Sequence, residues 1–146
     1  MWFVIACVLA AAVGAAAEQT DDIRIVSIDP PVLSAGVETR LTIDVDVILE
    51  TGEEAVVRVG FNVNSPDAFR MVDSHDVQRG RQRVTFDVTV VPIDWGDRGD
   101  FAVIANVGTR APQSRWTPTA SVRKTIPVKS SESLTHAPLV RDARLR

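Results

Sequence analysis

Apolar and polar side chains alternate through Leu41-Thr42-Ile43-Asp44-Val45-Asp46-Val47, and Ile48 and Leu49 follow directly. Successive side chains of a strand point to opposite faces, so this period of two predicts a strand buried on one face and wet on the other. The same period recurs from Val57 to Val63 and from Val84 to Val90, each rich in β-branched or aromatic residues that suit a pleated surface. Ile23 to Ile28 reads as an opening strand. It is ended by Asp29-Pro30-Pro31, where two prolines fix φ and remove two ladder donors. Phe101 to Val107 is nearly all apolar, the composition of a central strand. The last predicted strand, Val122 to Val128, contains Pro127 and an inward-phase Lys124, both of which blunt a sheet edge.

Turn chemistry punctuates these runs at Ala35-Gly36, Thr51-Gly52, Asn64-Ser65-Pro66, Arg79-Gly80, Gly96 with Gly99, and Pro112 through Pro118. A short edge strand is expected around Phe69 to Val72, and no window carries a helical period. Short strands at regular turn spacing, with no helices to carry parallel crossovers, predict an all-β fold: a single antiparallel sandwich of about seven strands over residues 23–128. Residues 18–22 are assigned to a linker. The tail, residues 129–146, is Ser-rich and then basic without a sheet period, and is expected to be disordered.

The first seventeen residues carry no charged side chain, run apolar from Trp2 to Val13, and stop at Ala15-Ala16-Ala17 before a polar stretch. They read as a secretory signal peptide cut after Ala17, although no basic residue opens it. A minor alternative is a lipobox at Val4-Ile5-Ala6-Cys7, with only six residues before the cysteine. Cleavage after Ala17 discards the one cysteine, so the fold must rest on packing rather than disulfides. The 16 Lys and Arg against 19 Asp and Glu leave a net charge of −3 and no electrostatic footprint for nucleic acid. After residue 17 no apolar run is long enough to span a membrane.

An opening strand, proline, Gly36 and the long alternating strand from Leu41 resemble the start of many bacterial immunoglobulin-like domains. Val77-Gln78-Arg79-Gly80, the strand from Val84, Pro92 and the apolar strand from Phe101 resemble domains of the fibronectin type III and CARDB kind. The likeness covers about Ile23 to Val128 and consists of pattern and turn positions, with no diagnostic motif. It departs from antibody-type domains in lacking both core cysteines and any tyrosine. The resemblance implies adhesion, surface or spacer roles and transfers no catalytic residue.

Candidate chemistry is sparse. Asp73-Ser74-His75-Asp76 holds the residue types of a hydrolytic triad, yet adjacent residues cannot reproduce triad geometry, and a polar connector is expected. Asp94, Asp97 and Asp100 fall at three-residue spacing in a loop that would suit either a hard cation such as calcium or a plain turn. The same loop spells Arg98-Gly99-Asp100, which resembles the integrin-binding tripeptide but sits one loop before the place where fibronectin-type ligands display it. Arg110, Arg115 and Trp116, between prolines, form the partner-binding candidate, since Trp and Arg dominate binding hot spots. The structural alternative is that Trp116 caps the end of the core; Trp95 is read as a core plug. These readings lead to a secreted or periplasmic, non-catalytic module that binds a protein or cell-surface component through loops or a sheet edge, with no cofactor or metal. A carbohydrate-binding module using an exposed Trp is the alternative, and an enzyme is disfavoured.

Overall fold

The computed structural model describes residues 18–109 and 116–130. The expected signal peptide with Cys7, the tail from residue 131, and the loop residues Arg110 and Arg115 lie outside the described residues. The described chain is all-β, with one 3₁₀ turn at Gly96–Arg98. Its seven strands are β1 (Asp22–Asp29), β2 (Leu33–Ser34), β3 (Thr39–Ser65), β4 (Ala68–Val90), β5 (Ala102–Thr109), β6 (Thr117–Thr125) and β7 (Val128–Lys129).

The strand count matches expectation, but the division does not. The expected breaks at Thr51-Gly52 and Arg79-Gly80 lie inside two long strands, β3 and β4, which form one continuous antiparallel hairpin. Its register runs one to one from Thr39↔Val90 to Leu49↔Gly80 and resumes at Glu54↔Gln78. Residues 50–53 therefore bulge opposite Arg79 alone, and the turn-forming residues serve a bulge rather than a chain reversal. Likewise Asp73-Ser74-His75-Asp76 is not a connector. These residues pair with Val59 through Val56 as part of β4, where an edge strand tolerates polar side chains because little of it needs burial.

Each long strand thus has two arms. The first arm of β3 lies between β1 and the second arm of β4, whereas its second arm lies between the first arm of β4 and β5, with β6 outermost. The sheet curls so that β1 approaches β6. Both halves face a single core: Leu41, Ile43, Val45, Val47 and Leu49 from one arm of β3, Val57, Val59 and Phe61 from the other, Phe86 and Val88 from β4, and Val103, Ala105 and Val107 from β5. The alternation in the first arm of β3 is complete, every odd residue from Leu41 to Leu49 being buried. The central strand β5 is buried on both faces over most of its length, as its composition predicts. The strand expected over Val122 to Val128 is β6, which starts earlier, at Thr117, and ends at Thr125; Ile126 then donates its N–H to Phe101 O, and Val128 lies in β7, which pairs in parallel with β2. Lys124 keeps the inward phase in register but is exposed at the edge.

Asp21, assigned from sequence to the linker, binds the two halves together. Its carboxylate accepts the backbone N–H groups of Glu50 (2.8 Å) and Thr51 (2.9 Å), the Thr51 hydroxyl (2.7 Å) and the Thr119 hydroxyl of β6. Partial burial works against ionisation, but the hydrogen bonds from Thr119, Thr51 and Glu50 outweigh it and hold the carboxyl below its ordinary value of 3.8. A lowered folded value stabilises the fold above the ordinary carboxylate range, and that stabilisation is lost as pH falls through the folded value. Asp21→Ala is accordingly expected to cost about 2 kcal/mol near neutrality. Urea melts should show the gap between wild type and variant narrowing in acid; a gap independent of pH would rule out the charged clamp.

Candidate functional site

The outward face of the first half, built from β1, β3 and β4, is a ladder of paired polar groups. Asp44 accepts from Ser27 (2.8 Å) and Thr85 (2.7 Å), Asp46 takes a two-point bond from Arg83 (2.7 and 3.1 Å), and Asp87 accepts from Thr42 (2.8 Å) beside Arg40. Hydrogen bonds from Thr85 and Ser27 hold Asp44 below the usual carboxylate range, and the bond from Arg83 does the same for Asp46. Arg83 is raised in turn by Asp46. The arrangement fits strand pleat geometry: Ser27, Asp44 and Thr85 are register partners, as are Arg24, Asp46 and Arg83.

On the outward face of the second half, aromatic and cationic side chains lie across the strands. The Arg58 guanidinium sits 4.2 Å from the Trp116 ring centroid, and Arg123 lies 5.3 Å from that of Phe69. Trp116 rests against Gly108, where an added Cβ would come within 2.9 Å of the indole, and its buried Nε1 has no hydrogen-bond partner among the described residues. Asn106, the register partner of Arg58, is 6% exposed. Of the three residues singled out as the binding loop, only Trp116 is described, and it is half-buried beneath Arg58. Arg58, Arg123 and Phe69 were missed because single polar or aromatic positions on three different strands carry no joint signal in the sequence.

The remaining candidates are dispersed. Ser74 and His75 point to opposite faces of β4; His75 packs edge-on against Phe86 at 4.8 Å, and its Nε2 is 3.7 Å from Asp73 Oδ2. Asp94 accepts the Gly96 N–H, fastening the 3₁₀ turn, and among the described residues no three His, Cys, Asp or Glu side chains converge as a metal set would require. Arg98 of the Arg-Gly-Asp run lies over Trp95, 5.3 Å from its ring, and Trp95 is buried in the core as a plug.

The sheet edges differ from one another. On one side β1 and β6 approach and are joined through Asp21 and Thr119. On the other side both arms of β4 pair, among the described residues, with β3 alone, so within them β4 presents a free edge along its length. Between those arms lies a cleft of about 470 Å³ lined by apolar Met71, Val72 and Val91 and by polar Asn64, Arg70 and Thr89 among others. Val72 and Val91 are 44% and 48% exposed at its rim. Sequence reasoning anticipated a free edge but placed only Phe69 to Val72 on it.

No family model matches the chain, and no curated protein matches it. Among solved structures the chain is similar to the crystal structure of β-glucosidase from Listeria innocua in complex with glucose, at 15% identity and a TM-score of 0.37. That likeness covers 73% of this chain and 16% of the other, and is too weak to carry an argument about either. No helix among the described residues is long and apolar enough to cross a membrane.

Proposed function

We propose that the chain is a secreted or periplasmic, non-catalytic immunoglobulin-like module that binds a protein partner or protein component of a cell surface through the free edge of β4. The observation that carries this reading is the asymmetry of the two sides: one is closed by β1, β6 and the Asp21 clamp, whereas the other leaves the outer edge of β4 unpaired among the described residues, beside a cleft of mixed polarity with Val72 and Val91 at its rim. Unpaired strand edges recognise extended segments by main-chain hydrogen bonds, and neighbouring pockets select the side chains. Three strand segments facing four across one core support the immunoglobulin-like reading. The fold-level resemblance in turn supports adhesion or surface roles. Address follows from the leader, with lipidation at Cys7 as the minor alternative.

The sugar-binding alternative needs an open aromatic face, and Arg58 already lies over the ring of Trp116. The catalytic alternative needs converging acid, base and nucleophile, and Ser74 and His75 diverge. The test is capture of proteins from the extracellular or envelope fraction by the immobilised chain, beside a panel of soluble glycans. Val72→Lys and Val91→Lys are expected to weaken protein capture at least about tenfold, since each replaces an exposed apolar side chain at the rim with a charge. Glycan binding that survives both substitutions but is lost in Trp116→Ala would replace this proposal with the sugar reading.

A further inference from the structure

The four strand edges are not equally protected. The β1 edge is bulged between Ile25 and Ser27, and β6 carries Pro118 together with a register shift opposite Val107 and Gly108. The first arm of β4 is bulged at Val72, between its pairings with Val59 and Gly60. Bulges and edge prolines, which disrupt the backbone ladder itself, are among the devices that prevent strand addition, whereas exposed charges oppose it only where like charges meet. The second arm of β4 has neither: from Gly80 to Val90 it pairs one to one with β3, without a shift and without a proline.

That arm is also self-complementary. Its exposed face reads Arg81, Arg83, Thr85, Asp87, Thr89, and its inward face reads Gln82, Val84, Phe86, Val88. An antiparallel copy related by a two-fold axis through Thr85 sets Arg83 opposite Asp87 of the second copy, and the reverse, while Thr85 meets Thr85 and Arg81 meets Thr89. On the inner face Val84, which is left half-buried at the edge, falls opposite Phe86 of the second copy. Directly opposed opposite charges and apolar pairs stabilise a ladder, whereas opposed like charges weaken it. Moving the axis by two residues, onto Arg83 or Asp87, sets like charges against each other. The row through Arg24, Asp46 and Arg83 would continue as Asp87 of the second copy, preserving the alternation of sign already present across β1, β3 and β4.

We infer that the chain pairs with a second copy of itself along residues 81–89 of β4, antiparallel about Thr85, to extend the sheet of its first half across a two-fold dimer. The inference rests on the proposed role of β4 as a binding edge and names one occupant for part of it. An isologous contact of this kind closes on itself, so it yields a dimer and not a filament.

Sedimentation of the wild-type chain over a concentration series is expected to show a dimer. Arg83→Asp sets acid against acid and Asp87→Arg sets base against base, so each variant alone is expected to dimerise at least about tenfold more weakly. An equimolar mixture of the two restores both opposite-charge contacts and is expected to recover a one-to-one heterodimer at wild-type concentrations. Circular dichroism of each variant separates lost pairing from lost folding. If either variant fails to fold, Thr85→Cys in a Cys7→Ser background decides the matter, because a residue on the axis should oxidise to a disulfide-linked dimer. A wild-type chain that stays monomeric, variants that dimerise unchanged, or a Thr85→Cys chain that gives no linked dimer would each overturn the inference. A monomer that still captures an envelope protein through Val72 and Val91 would overturn only the self-pairing and leave the proposed function standing.

Discussion

Asn62→Leu is expected to lower the unfolding free energy by about 3 kcal/mol, which for a domain of this size shifts the melting midpoint by roughly 15 °C. Asn62 is fully buried near the end of β3, and all its side-chain groups are engaged. Its Nδ2 donates to Pro66 O (3.0 Å) and Asp100 O (2.7 Å), and its Oδ1 accepts the Ala102 N–H (2.9 Å). One amide thereby fastens the β3–β4 turn to the chain entering β5. Leucine matches the volume but strands a buried N–H and two carbonyls, and the unmet groups, not the lost bonds, set the size of the effect. Asn62→Asp supplies a second test. An aspartate aimed at two carbonyl oxygens is held neutral by its surroundings, so its folded pKa rises. Its stability is then greatest below the ordinary carboxylate range and falls as pH rises towards the folded value. A leucine variant within 1 kcal/mol of wild type, by chemical denaturation, would show that the turn is held by other means.

Asn62 also marks where the sequence stops being legible. The period of two identifies the strands because inward and outward positions are separated by burial, and odd residues from Leu41 to Leu49 follow that rule without exception. In the second arm of β3 the rule weakens: Val56, Gly60 and Asn62 are in the outward phase and are nevertheless buried. They are covered by neighbours that no local pattern reveals, such as the chain entering β5 and the backbone of β4. Thr51-Gly52 reads as a turn for a related reason, since Thr-Gly chemistry serves turn and bulge alike, and the choice of a bulge depends on Asp21 arriving from far away in sequence to hold two of its N–H groups.

The candidate site was less legible than the fold. A free edge is a property of strand order, and strand order is set by which long-range pairs form. The sequence marks Asp73-Ser74-His75-Asp76 as polar but reads it as a connector, and it does not show that these residues belong to a strand, β4, whose two arms lie on the same open side. Its symmetric charge pattern about Thr85 is readable only once the outward phase is known and the neighbouring edges prove to be bulged. The aromatic and cationic pairs, Arg58 with Trp116 and Arg123 with Phe69, likewise bridge residues more than fifty positions apart.

Gly60→Ala is expected to be unusually damaging for a single added methyl, costing about 3 kcal/mol or more. The reason is a close approach of backbone to backbone. A Cβ at residue 60 would lie within 3.0 Å of the Arg70 carbonyl group and the Met71 Cα, so no side-chain rotation relieves the overlap. The approach exists because β4 is bulged at Val72, which leans its chain over β3 where Gly60 pairs with Met71 on one side and Ile104 on the other. With partners on both sides, β3 cannot retreat without breaking a ladder, and only β4, at the free edge, can move. Gly60→Ala should therefore loosen the first arm of β4 before the rest of the sheet. Hydrogen exchange is expected to rise at residues 68–73 while β5 and the second arm of β4 keep wild-type protection. If the alanine variant melts within about 2 °C of wild type, or loses protection uniformly, the bulge does not depend on glycine. The same measurement bears on function, because the residues that loosen include Val72 at the cleft rim. Protein capture through that rim should weaken in Gly60→Ala, whereas pairing along residues 81–89, which lies beyond the bulge at residues 50–53, should persist.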